Sequence, residues 1–212
     1  EKKSFEEKEL DILRESVDKI EESTKKKVAQ SPIITKIIEV LENFLRKKQL
    51  ICYGGTALNN ILPKKDQFYD KNREIPDYDF YSPNALDDAK ELADIYYNAG
   101  FQEVEAKAGV HHGTYKVYVN FIPVADITYL DKSLFKRVQK EGIRVYGILY
   151  CPPNFLRMNM YLELSRPAGD ISRWEKVLKR LILLNKNYPL RGKHCNPSLF
   201  TRNFELNNKL LL

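Results

Sequence analysis

The sequence predicts an α+β fold: a mixed β-sheet flanked by helices, with a helical segment before it and helices after it. Three observations predict this. Short apolar runs with β character are interleaved with helical periodicities in an irregular order, not as repeating strand–helix pairs. Glycine and proline signals such as Gly54-Gly55, Gly109–Gly113 and Pro152-Pro153 punctuate the runs. The chain of 212 residues is 43% hydrophobic and 30% charged, enough for one buried core. A sheet with helices over one side is the simplest arrangement.

Residues 4–27 read as a charged helix in which Leu10, Leu13, Val17 and Ile20 make a narrow apolar stripe, suited to packing on the rest of the chain. Ser31-Pro32 is a helix start, with Ser as N-cap and Pro at the first position. Ile33, Ile34, Ile37, Ile38, Leu41, Phe44 and Leu45 form its broad apolar face. Arg46-Lys47-Lys48 ends it where cations suit the helix dipole. Leu50–Tyr53 is a short strand, Gly54-Gly55 breaks it, and Thr56 opens a short helix through Ile61. Residues 63–76 are polar and read as a loop.

Tyr78–Ser82 is a strand, and Asn84 caps a helix from Ala85 to about Asn98, stopped by Gly100. Phe101–Ala106, Thr114–Val119 and Phe121–Tyr129 are strands, the first two joined through a turn at Gly109–Gly113. A short helix at 131–140 and a strand at 143–149 follow. Pro152-Pro153 starts a helix to about Ser165, and Asp170 caps a last helix whose apolar face is Trp174, Val177, Leu178, Leu181 and Ile182. These elements divide the chain into a helical segment at 1–49, a core at 50–150, helices packing on it at 151–190, and a tail at 191–212 expected to begin a further domain.

Charge is uneven. The net charge is +6, yet residues 132–212 carry 16 Lys+Arg and 5 Asp+Glu, whereas 1–131 carry 19 basic and 24 acidic residues. The basic half suits a polyanionic partner or simply a solubilising surface. Cys52, Cys151 and Cys195 form neither a zinc pattern nor an even set, which suits a reducing, intracellular setting rather than a secreted one. No run approaches the ~20 apolar residues of a membrane span.

Three short segments carry chemistry. In Pro76-Asp77-Tyr78-Asp79-Phe80, strand alternation turns Asp77 and Asp79 to one face and Tyr78 and Phe80 to the apolar face. Two adjacent carboxylates suit a hard divalent cation such as Mg²⁺ or Mn²⁺, or else stand as solvated aspartates in a loop. Gly54-Gly55-Thr56, between a strand and a helix, offers free N–H groups and a hydroxyl to a phosphate, or is an ordinary turn. In Val124-Ala125-Asp126-Ile127 one acid stands in an apolar strand, where it faces solvent or joins a charged site. Beside the first strand it completes a set of three carboxylates.

Strand–GG[ST]–helix, then DxD on a strand, then one Asp on a later strand, resembles the DNA polymerase β-like nucleotidyltransferase superfamily. The segments YGGTALN (Tyr53–Asn59), IPDYDFYS (Ile75–Ser82), VADIT (Val124–Thr128) and Pro152–Arg180 further resemble the catalytic core of viral poly(A) polymerases of poxviruses and other large DNA viruses, over more than half of the chain. The resemblance implies a nucleotidyltransferase fold and template-independent transfer of AMP from ATP to an RNA 3′ end. It implies two Mg²⁺ (or Mn²⁺) ions on the catalytic residues Asp77, Asp79 and Asp126, with nucleotide bound by Gly54, Gly55 and Thr56. Lys176 is the expected phosphate contact, by analogy with a basic residue after the third carboxylate. It also implies a homodimer or a processivity subunit as partner, and a site in the host cytoplasm or virion.

Arg173, Lys176 and Arg180 share one side of the last helix and suit triphosphate or RNA, or a solvated face. Arg157 and Arg166 are further basic candidates. Tyr115 and Lys116 lie on a strand near the site without a defined role, and His111 and His112 are turn residues. Oligoadenylate- or cyclic-dinucleotide-synthase-like chemistry uses the same carboxylates, and a catalytically silent RNA-binding scaffold is the reading from a different class.

Overall fold

The computed structural model describes residues 4–5, 8–14, 16–17, 31–70, 75–166 and 169–190. Residues 8–14 are helical, but Leu10, Leu13 and Val17 are exposed, so the expected packing of this stripe is not realised at those positions. A stripe one residue wide offers little area to bury. Ile20 and the tail 191–212 lie outside the described residues.

Helix α1 (Pro32–Lys48) starts at Pro32 after an extended Ser31, which accepts from Thr35 through its carbonyl and makes no side-chain cap. Ile34, Ile37, Leu41, Phe44 and Leu45 recur at three- and four-residue spacing and are buried, whereas Ile33 is on the outer side. Burying each such side chain contributes about 2 kcal/mol. Gln49, in the left-handed region at φ 55°, ends the helix.

Seven strands form one sheet: β1 (Ile51–Tyr53), β2 (Tyr78–Ser82), β3 (Val104–Ala108), β4 (Thr114–Val119), β5 (Ile122–Tyr129), β6 (Ile143–Val145) and β7 (Ile148–Tyr150). Their order is β3-β4-β5-β2-β1-β7-β6. β2 pairs with β5, and β1 with β7, in parallel; the other neighbours are antiparallel. This is the mixed sheet that the sequence predicts. The helices between and after the strands are α2 (Gly54–Ile61), α3 (Ala85–Asn98), α4 (Lys132–Glu141), α5 (Pro153–Leu164) and α6 (Trp174–Asn187).

Several expectations need correction. The single strand at 143–149 is a hairpin, β6–β7, because Tyr146 and Gly147 both take left-handed conformations (φ 49° and 79°), as a two-residue type I′ turn requires. Phe101 is not in a strand: its N–H donates to Tyr96 O, Gly100 N–H donates to Tyr97 O, and its ring lies 5.7 Å from Tyr96, a Schellman ending to α3. On α6 the buried face is Val177, Leu181 and Leu184, while Ile182 is 58% exposed.

The sheet is also covered on both faces. Tyr78, Phe80 and Ser82 of β2 face α1 and α3: Phe80 meets Phe44 at 6.4 Å, the Tyr78 hydroxyl donates to Glu42 at 2.7 Å, and Ser82 bonds Asp88. The opposite face carries Asp79 and Tyr81, and Tyr81 meets Phe155 and Asn159 of α5. One helix layer leaves these aromatic residues uncovered, and α5 supplies the second.

Candidate active site

The site lies on the face of the sheet that carries Asp79. Strand register builds a row of side chains across five strands there. Tyr53 pairs with Asp79, Asp79 with Asp126, Asp126 with Lys116, and Lys116 with Lys107. Cross-strand partners point to the same face with Cβ atoms about 5 Å apart. The row therefore runs from a tyrosine through two carboxylates to two ammonium groups. Asp77, two residues before Asp79, adds a third carboxylate just ahead of β2.

Burial and neighbouring negative charge make Asp77 and Asp79 reluctant to ionise. Burial, then the charges of Asp77 and Asp126, push the Asp79 carboxyl up to about 7, against the pull of Lys116 and Arg173. Asp77 is raised by burial and by Asp126, with Lys116 and Lys176 acting against the rise. Arg173 and Lys176 of the α6 region thus act electrostatically on the carboxylates. Arg173 also pairs with Glu163 at 3.2 Å.

The turn between β1 and α2 closes over the same acids. Helix α2 starts at Gly54 itself, two residues earlier than Thr56, and its first N–H groups have no side-chain cap at Tyr53. Gly54 has φ 72°, and a Cβ there would overlap Asp79 Oδ2. A Cβ on Gly55 would lie 2.5 Å from the Tyr69 hydroxyl and 2.9 Å from an Arg180 nitrogen. Thr56 is buried and its hydroxyl donates to the Asp77 carbonyl at 2.5 Å, tying the turn to the DxD strand. That hydroxyl proton is committed to the backbone in this structure.

The other basic candidates separate. Arg180 reaches the turn: it donates to the Tyr69 hydroxyl at 2.6 Å and lies over the Phe68 and Tyr69 rings at 5.1 and 5.6 Å. Arg157 is buried and donates to Asn185, Asn154 and Tyr188 O, so it clips α5 to α6 and presents no cation to solvent. Arg166 is exposed beyond α5. Tyr115, one residue from Lys116, points to the core face by alternation. His111 and His112 are exposed in the β3–β4 turn.

Sequence reasoning missed Phe68 and Tyr69, which sit in the segment read as a plain loop. Their backbone N–H groups donate to Asn59 of α2 at 2.8 and 2.9 Å, which fixes the rings beside Gly55. Two consecutive aromatic residues in a polar stretch were the available signal.

The donor set suits a hard divalent cation: three carboxylates, two of them raised in proton affinity by burial and by their acidic neighbours. Among the described residues, however, no three acidic, His or Cys side chains converge closely enough to bind a metal ion. Asp126 Oδ2 instead accepts from Lys116 Nζ.

Residues 39–170 match the family model of the poly(A) polymerase catalytic subunit. A putative poly(A) polymerase catalytic subunit of Acanthamoeba polyphaga mimivirus is 36% identical over 188 residues, covering 85% of this chain and 30% of its own length. The corresponding protein of African swine fever virus (isolate Tick/Malawi/Lil 20-1/1983) is 33% identical over 181 residues, 82% of this chain and 38% of that one. The crystal structure of the Megavirus polyadenylate synthase superposes with a TM-score of 0.77 at 29% identity, covering 92% of this chain and 40% of that chain. The chain spans about a third of the length of the curated relatives it matches.

Proposed function

The chain belongs to the poly(A) polymerase catalytic subunit family, and from that membership we propose that it carries the transfer site of a template-independent polynucleotide adenylyltransferase, adding AMP from ATP to RNA 3′ ends by a two-metal mechanism. The observation that carries the reading is the Asp79–Asp126 register with Gly54 pressed on Asp79, which sets a glycine turn at a helix start directly beside paired carboxylates.

Asp77, Asp79 and Asp126 would hold Mg²⁺ or Mn²⁺, which would supply charge neutralisation of the triphosphate and a lowered pKa of the RNA 3′-hydroxyl. The uncapped N–H groups of Gly54, Gly55 and Thr56 take phosphate oxygens. Lys176 and Arg173 neutralise phosphate charge from the side of α6, and Arg180, braced by Tyr69, does so next to Gly55. Asp126 orients the 3′-hydroxyl and accepts its proton as that oxygen bonds the α-phosphorus of ATP and the bond to the departing pyrophosphate breaks. Positioning and charge neutralisation supply most of the rate. A homodimer or a processivity subunit completes the working assembly, in the host cytoplasm or virion. Viral relatives and two buried free cysteines support the intracellular part of this reading. No helix among the described residues is long and apolar enough to cross a membrane.

The test is primer extension with each of the four NTPs and Mg²⁺ or Mn²⁺, analysed for tail length and base. Long A-tails, lost in Asp79→Asn, are expected. Short 2′–5′ or cyclic products would move the chain to the oligoadenylate- or cyclic-dinucleotide-synthase-like reading. Undiminished extension by Asp79→Asn would remove the carboxylates from the mechanism.

A further inference from the structure

Asp79 and Asp126 are register partners on adjacent strands, and Asp77 lies two residues from Asp79. The backbone therefore brings three carboxylates together, but the side chains do not converge. Lys116, the register partner of Asp126 on the other side, donates its ammonium to Asp126 Oδ2. Asp126 sits between two cross-strand neighbours, an acid and a base, and is turned to the base.

We propose that Lys116 is a built-in competitor for the metal site: it holds Asp126 toward β4 and yields it when a divalent cation and nucleotide arrive. This rests on the assignment of Asp77, Asp79 and Asp126 as the metal-binding carboxylates. Lys116 and Asp126 keep 32% and 21% of their side-chain surface exposed, so the pair is neither sealed in nor fully screened. An ammonium on a four-carbon stem is a point charge that lets go by bond rotation, without breaking a two-pronged contact as Arg would. The next residue in the row is Lys107, itself paired with Glu105 at 3.0 Å and lying over Tyr118, so it does not take Lys116's place on Asp126.

Two consequences follow from charge alone. A monocation beside the site repels a second cation and withholds one ligand, so metal binds less tightly than three carboxylates would allow. The triphosphate reverses this, since its negative charge gives Lys116 a new partner and frees Asp126. Metal and nucleotide then favour each other's binding, and the metal-free enzyme keeps its carboxylates from bare repulsion.

The test is Mn²⁺ binding, followed by loss of the free-ion electron paramagnetic resonance signal, in the 212-residue chain without nucleotide. Lys116→Met is expected to bind Mn²⁺ about tenfold more tightly than the parent, since one nearby charge is removed and one ligand released. Lys116→Arg, which keeps the charge and grips Asp126 at least as firmly, is expected to bind Mn²⁺ no more tightly than the parent. A non-hydrolysable ATP analogue should tighten Mn²⁺ in the parent more than in Lys116→Met. Unchanged or weaker Mn²⁺ binding by Lys116→Met, or equal tightening by Lys116→Arg, overturns the inference. Asp79→Asn is the control: if it binds Mn²⁺ as the parent does, the carboxylate assignment itself fails, whatever Lys116 does.

Discussion

Gly54 has no room for a side chain because Asp79 fills it: a methyl group built on its α-carbon would overlap the Asp79 carboxylate. The β1–α2 turn and the Asp79 side chain are thus packed against each other.

Gly54→Ala should be damaging twice over. The left-handed φ of 72° costs a non-glycine residue about 1 kcal/mol, and the new methyl displaces the carboxylate. We expect a melting temperature a few degrees lower and AMP incorporation at least about 100-fold slower. Incorporation within threefold of the parent would show that the close approach does not matter.

Burial and its acidic neighbours push the Asp79 carboxyl up to about 7. The folded state therefore binds this proton more tightly than the unfolded chain does. The stability that Asp79 contributes is fully present below pH 4 and is lost as pH rises through 7. Without divalent metal, Asp79→Asn should be more stable than the parent at pH 8, by about 2 kcal/mol, and nearly equal to it at pH 4. Urea denaturation at both values checks this. Magnesium at pH 8 should stabilise the parent more than the variant.

Thr56→Val keeps shape and removes the hydrogen bond to the Asp77 carbonyl. Losing such a part-buried hydrogen bond costs about 1 kcal/mol. Incorporation should fall about tenfold because the turn and the DxD strand lose their tie, and Thr56→Ser should restore most of it. Parent-like kinetics for the valine variant would leave the hydroxyl without a role in positioning.

Arg157 and Arg180 should behave in opposite ways. Arg157→Leu breaks the clip between α5 and α6 and should cost about 2–4 kcal/mol, seen in denaturant midpoints, with ATP affinity unchanged below the melting temperature. Arg180→Ala should barely change stability and should raise the KM for ATP about tenfold. A raised KM in Arg157→Leu would return that residue to the candidate phosphate contacts.

The order of elements, the apolar face of α1 and the three acidic positions could be read from the sequence, because each leaves a local trace. Periodicity marks Ile34 to Leu45, and an acid in an apolar strand marks Asp126. The sequence hid what depends on pairing. Residues 143–149 contain one glycine, and only the fold reveals that Tyr146 beside it turns left-handed. Arg157 and Arg180 are alike in sequence, yet one is walled in by Asn154 and Asn185 and the other reaches Tyr69. The pairing of Lys116 with Asp126 follows from the β4–β5 register, and that register shifts at Val117/Tyr118, which no spacing rule foretells.

Asp79 and Asp126 are 47 residues apart in the chain, and the helix α3 and two strands lie between them. On a ribosome, both acids of the DxD strand emerge long before their partner does. No local turn can assemble the cluster. It forms only when β5 slides in beside β2, the slow kind of closure that a long-range parallel pairing imposes. Any ligand that needs all three acids is therefore bound only late in folding, once the middle of the sheet is complete.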